Sequence, residues 1–138
     1  MVALAAYYAR GHGDDPVLVA TADEVDQLID RVRAESPERA PILIEVHIAG
    51  DPYAQGLDVG NNGKRGVLRY SGREWPDGVY SFGGDSADPA PLQYFYMDTD
   101  TEFPATAEVP LAIVRQAVLD FLATGGALPS GVTWRRAA

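Results

Sequence analysis

Residues 41–49 alternate with a period of two: Ile42, Ile44, Val46 and Ile48 fall on one side, and Leu43, Glu45 and His47 on the other. Only an extended chain sends every second side chain to the same face, so this segment is a half-buried strand. Further strands are predicted at residues 2–9, 17–20, 55–59, 65–70, 78–82 and 92–97. Turn-rich pieces separate the later ones: Asn61-Asn62-Gly63, Ser71-Gly72, Gly83-Gly84 and Asp88-Pro89. The Asn62-Gly63 pair suits a tight hairpin, because both residue types tolerate positive φ. Strand following strand through short turns is the pattern of an antiparallel meander.

Two segments depart from it. Thr21 is a good helix N-cap and Glu24 completes a capping box, after which Val25, Leu28, Ile29 and Val32 mark one apolar face. Pro37 closes that helix; Asp26 and Asp30, four apart on its outer face, repel mildly. A second helix opens at Pro110, buries Leu111, Val114, Val118, Phe121 and Leu122, and stops at Gly125-Gly126. Residues 132–134 return as a short strand. The expected fold is α+β: one domain over residues 1–138, a mainly antiparallel sheet of five to six strands, and two helices packed on one face.

Charge narrows the function. The net charge of −9 opposes binding to nucleic acid, which relies on Lys and Arg displacing counterions, and to an anionic membrane surface. Between Glu74 and Val114 there are eight carboxylates, seven of the thirteen aromatics, and no Lys or Arg. Such a stretch attracts basic partners, and its aromatics can add rigid contact area. The chain has no cysteine, so disulfides, thiolate nucleophiles and cysteine metal sites are excluded. With no signal-like leader and no membrane-spanning run, cytoplasm is the expected location.

Catalytic patterns fail one by one. His12 and His47 have no second ligand at helical spacing, so no metal site is expected, and no Ser lies in a Gly-x-Ser-x-Gly elbow. Asp98-Thr-Asp100 after an apolar strand has the carboxylate spacing of phosphatases that form an aspartyl-phosphate, but no Lys or Arg follows until Arg115. A calcium loop starting at Asp98 would need Gly where Phe103 stands and Glu where Val109 stands. Lys64 after Gly60–Gly63 lacks phosphate-loop spacing. No catalytic residue and no cofactor are expected. The alternative is a small hydrolase or ligand-binding domain using sheet carboxylates such as Glu45 and Asp58, if the fold brings them together.

An ordered series of short motifs carries a resemblance. Phe103-Pro104 precedes Glu108-Val-Pro-Leu111, Arg115-Gln-Ala117, Phe121-Leu122, Thr124-Gly-Gly126, Pro129 and Val132-Thr-Trp134. Upstream stand Leu57-Asp-Val-Gly60, Gly66-Val-Leu-Arg-Tyr70 and Tyr80-Ser-Phe-Gly83. Over roughly residues 41–136 the chain resembles the bacterial immunity proteins encoded beside deaminase toxins in polymorphic toxin systems, with Leu128 where members typically carry Arg. Most of these motifs have scaffold roles: Trp134 in the core, Phe103-Pro104 leading into the second helix, Gly125-Gly126 ending it. The resemblance implies an inhibitor that performs no reaction and binds a cognate toxin domain, itself basic and a deaminase of nucleic acid or nucleotide. The expected toxin contacts are Asp98, Asp100 and Glu102 at a strand end, Asp85 and Asp88 in the loop before it, and Trp75 and Tyr94 as aromatics facing either core or partner.

Overall fold

The computed structural model describes residues 2–136 apart from Glu38, Ala87 and Asp98, with only the backbone course for residues 52–54. Strands β1 (Leu4–Tyr7) and β2 (Val17–Val19) precede helix α1 (Ala22–Glu35). Then come β3 (Leu43–Ile48), β4 (Asp51–Asn61), β5 (Arg65–Gly72), β6 (Trp75–Ser81), β7 (Leu92–Tyr96) and β8 (Thr99–Phe103). A 3-10 turn at Ala105–Ala107 leads to β9 (Val109–Pro110), helix α2 (Leu111–Thr124) and β10 (Trp134–Arg135).

The main sheet has the order β10-β6-β5-β4-β3-β1-β2, with β9 paired to the start of β5, while β7 and β8 form a separate hairpin. Every strand pair in both sheets is antiparallel. The α+β class is as expected, but eight strands in the main sheet exceed the five to six read from sequence. Strand β9 has only two residues, too short for periodicity to show, while the short strands expected at residues 17–20 and 132–134 appear as β2 and, shifted to Trp134–Arg135, as β10. Thr99–Phe103, read as an acidic strand end, is itself β8. The reversal placed at Ser71-Gly72 lies two residues later, since Gly72 still pairs with Trp75.

Alternation assigns the two faces. Ile44, Val46, Leu57, Val59, Leu68, Tyr70 and Val79 point to the helices, where Val25, Leu28, Ile29 and Val32 of α1 meet Val114, Ala117, Val118 and Phe121 of α2. Thr21 caps α1 by accepting from the Glu24 N–H at 3.2 Å, and the Glu24 carboxylate reaches back to the Ala20 N–H at 3.0 Å. Asp26 and Asp30 are not left to repel each other. Arg115 of α2 bridges them at 2.6 and 3.1 Å, tying the helices together on their outer side. Gly125 ends α2 in the left-handed region, φ 71°, which a side chain would strain. The segment beyond is pinned to the core: the Tyr70 hydroxyl donates to the Gly126 carbonyl at 2.8 Å, and the Trp134 indole N–H to the Pro129 carbonyl at 2.9 Å.

The second face is covered over part of its width. Leu43 and Val67 sit beneath the β7–β8 hairpin with Tyr94, Phe103 and Ala107, forming a second, smaller core. Gly60 lies between Leu43 and Val67 in the ladder, and the Tyr94 ring rests on it. A methyl at Gly60 would fall 2.6 Å from the Tyr94 ring and 2.8 Å from a Val67 methyl. Ser81 locks the adjoining corner, accepting from the Leu68 N–H at 3.0 Å and donating to the Ala107 carbonyl at 2.6 Å.

Replacing Gly60 with Ala forces Tyr94 off its seat. The expected loss is about 1–3 kcal/mol of stability, the usual range for overpacking a filled site. Urea unfolding reads it as a lower midpoint. An unchanged midpoint would show that the ring does not need the glycine.

Candidate functional site

The parity that sends Leu57 and Val59 toward the helices sends Asp58 to the other face. One lateral row results: Tyr7 of β1 pairs with Glu45 of β3, Glu45 with Asp58 of β4, Asp58 with Arg69 of β5, and Arg69 with Tyr80 of β6. His47 stands one row along on the same face as Glu45. The hairpin covers the face beside this row, and Tyr96 of β7 reaches from it to Glu45.

The titratable groups here perturb one another. His47 Nε2 lies 2.7 Å from a Glu45 carboxylate oxygen, and Nδ1 lies 3.1 Å from the Gln55 carbonyl. Both partners accept only, so the imidazolium, with two N–H donors, is the form that satisfies both. The hydrogen bond to Glu45 raises the His47 pKa above 6.5 against the opposing effect of burial, and the same bond lowers that of Glu45. Burial, followed by repulsion from Glu45, pushes Asp58 up to about 6. Burial first, then the charge of Glu45, pushes the Tyr96 phenol up to about 12. Arg69 counteracts little: its nearest approach to Asp58 is 3.8 Å, beyond hydrogen-bond length.

Sequence reasoning kept Glu45 and Asp58 only as an alternative pair, because nothing in their linear spacing joined them. The ladder makes them direct cross-strand partners. His47 and Arg69 were not singled out as site residues. The usable signal was parity alone: polar residues at 45, 47, 58 and 69 share the face opposite the aliphatic stripe.

The residues expected to contact a partner are dispersed. Asp100 and Glu102 are exposed on β8, opposite Phe95 and Gln93, on the hairpin face turned away from the sheet. Asp85 and Asp88 are exposed in the segment leading to the hairpin, where the Asp88 carboxylate also accepts from the Ala90 N–H at 3.0 Å. Asp98 lies outside the described residues. Tyr94 must be corrected as a contact: at 1% exposure its ring is a floor of the smaller core, closed to any partner in this conformation. Trp75 packs half-buried on the helix-side core, on the far layer from the hairpin, with the Arg136 guanidinium 5.1 Å from its ring. It also walls an open groove of about 1000 Å³ with His47, Tyr70, Arg73, Glu74 and Leu128.

Folding also supplies the basic residues that residues 74–114 lack. Arg135 stacks 3.5 Å from the Phe82 ring centre, Arg69 lies 5.8 Å from Tyr80, and Arg65 pairs with Glu108 at 3.7 Å. Of the exposed acids in that stretch, Asp85, Asp88, Asp100 and Glu102 lie on the hairpin and the segment before it, while Glu74 and Asp77 lie at the start of β6. Among the described residues, no three of His, Cys, Asp and Glu converge as metal ligands would. No helix of the structure is long and apolar enough to cross a membrane.

Two outcomes check this electrostatic arrangement. Because Asp58 is raised from 3.8 to about 6, its ionisation opposes folding: that penalty is absent below 3.8, grows as pH rises, and is complete above about 6. Asp58→Asn is expected to gain about 1–3 kcal/mol at pH 7, a gain that fades as pH falls toward 3.8. Urea midpoints at the two pH values read it; a loss of stability at pH 7 contradicts it. For His47, the raised pKa means its stabilising contribution is full below 6.5 and is lost as pH rises through the folded value. His47→Gln is expected to flatten that alkaline decline. An equal decline in both proteins would remove His47 as its source.

A family model described as immunity protein Imm1 matches residues 13–136. No curated protein matches the chain. The match spans nearly all of the sequence, including both helices, the main sheet from β2 onward and the acidic hairpin. The chain belongs to the Imm1 family of immunity proteins, whose role is immunity with a cognate toxin as partner.

Proposed function

We propose that this chain binds and inhibits a cognate bacterial toxin of the deaminase type by covering the toxin's basic substrate-binding surface. A deaminase that acts on nucleic acid extracts a base into a zinc-containing pocket and needs cationic groups to hold the backbone. An acidic protein seated on those groups excludes the substrate sterically and electrostatically. The chain itself performs no reaction in this scheme and needs no cofactor.

The observation that carries the reading is the outer face of the β7–β8 hairpin. Asp100 and Glu102 are exposed side by side in sequence parity, on an element that contains no Lys or Arg. Asp85 and Asp88 extend the acidic surface and Asp98 belongs to the same stretch, whereas Trp75 stands apart from it at its own groove. Long-range attraction between such a surface and a basic toxin speeds encounter and orients it. Tyr94 supports the surface from beneath rather than touching the partner.

Neutralising the hairpin surface tests this directly. The combined variant Asp85→Asn, Asp88→Asn, Asp100→Asn, Glu102→Gln is expected to bind the neighbouring toxin domain at least about tenfold more weakly, chiefly through slower association, and with less salt dependence. Unaltered affinity and salt slope would remove this surface from the interface. Co-expression tests the role itself: wild type should rescue cells from the toxin domain, and failure to rescue would contradict inhibition.

A further inference from the structure

Strand β8 leaves one of its edges open. It pairs with β7 alone, in a hairpin separate from the main sheet. In an antiparallel ladder each residue turns its N–H and C=O to the same side, and successive residues alternate. Phe95 of β7 turns outward: its N–H donates to the Pro41 carbonyl at 3.0 Å, beside the bridge between Ile42 and Phe95. Asp100, directly opposite Phe95, therefore turns its own main-chain groups away from β7, and Glu102, opposite Gln93, does the same. Among the described residues, no strand or loop main chain bonds to these groups.

An open edge is a template for another strand, since its unpaired donors and acceptors already stand in line. This edge is also fixed in place. Phe103 at its end is buried and, with Tyr94, seats the hairpin in the smaller core, so little order remains to be imposed on binding. Of the other strands that end a sheet, β2 has three residues and β9 and β10 two each, against five in β8. Charge then selects the occupant. Asp100 and Glu102 are exposed with the same parity, so a strand laid along the edge meets a carboxylate at every second position of its outer face. A second copy of this chain would bring the same carboxylates and be repelled, whereas a strand with lysine or arginine two positions apart would pair with both. We propose that β8 receives an extended, basic strand of the toxin, which continues the β7–β8 sheet through main-chain hydrogen bonds to Asp100 and Glu102. This rests on the hairpin being the toxin-facing surface, and it adds the mode of contact: backbone pairing gives the hold, and the carboxylates choose the strand.

Two variants of equal charge separate edge pairing from charge attraction. Asp100→Asn removes the carboxylate and keeps the N–H. Asp100→Pro removes both, and because that N–H points away from β7, the hairpin ladder is retained. Asp100→Pro is expected to bind the cognate toxin domain at least about tenfold more weakly than Asp100→Asn. Wild-type protein supplies a readout that does not depend on the proline variant folding. By NMR, the temperature coefficients of the Asp100 and Glu102 amides are expected to be solvent-like in the free protein and to fall to hydrogen-bonded values in the complex. Solvent-like values in the complex, or equal affinity of the two variants, would overturn strand addition. If the charge-neutralised hairpin variant still binds more weakly than wild type, the hairpin surface stands and only the pairing is wrong. Hydrogen-bonded values that emerge in the free protein with rising concentration would place a second copy on the edge and overturn the basic strand as its occupant.

Discussion

The seating of the Tyr94 ring on Gly60 decides what the sheet can offer to another molecule. Beneath the helices the sheet is closed by a continuous aliphatic core. On the other face, only the strip carrying Leu43, Gly60 and Val67 is smooth enough to take the hairpin, and Tyr94 with Phe103 fills it. With that strip covered, the hairpin turns Asp100 and Glu102 outward, and the next strip of the sheet carries Glu45 and the largely buried Asp58. Both acidic features follow from a single packing contact. A side chain at position 60 would disturb them together.

The two acidic features differ in kind. On the hairpin, carboxylates are exposed and well solvated, suited to attraction over a Debye length rather than to tight contact. In the sheet row they are desolvated and mutually repelling, and the folded protein tolerates them at a cost in stability. The arginines sharpen the contrast. Arg135 covers Phe82, Arg136 approaches Trp75 and Arg65 pairs with Glu108, so arginines from outside the acidic, aromatic stretch meet it at these three points.

How much of this was legible in the sequence depends on the range of the interactions involved. Helix α1, with its Thr21 cap and its Val25, Leu28, Ile29 and Val32 face, is written in local spacing and matches residue for residue. Strand β3 is equally plain. Strand β8 was hidden because Thr99, Asp100, Thr101 and Glu102 are polar, and only Thr101 and Phe103 face inward. Tyr94 could not be assigned to core or surface from its neighbours, since its burial depends on a glycine thirty-four positions earlier. The Glu45–Asp58 contact required the register of β3 on β4, which a hairpin with a bulge at His47 does not disclose in advance. Likewise, Asp26 and Asp30 read as a repelling pair until Arg115 was placed between them from a helix eighty-five residues away.

Amide hydrogen exchange of this chain, alone and bound to its cognate toxin domain, maps the interface without presupposing any side chain. The account predicts slowed exchange in β8 and in the segment leading to the hairpin, with the outer surfaces of α1 and α2 unchanged. Protection confined to the helices, with β8 exchanging as in the free protein, would contradict it.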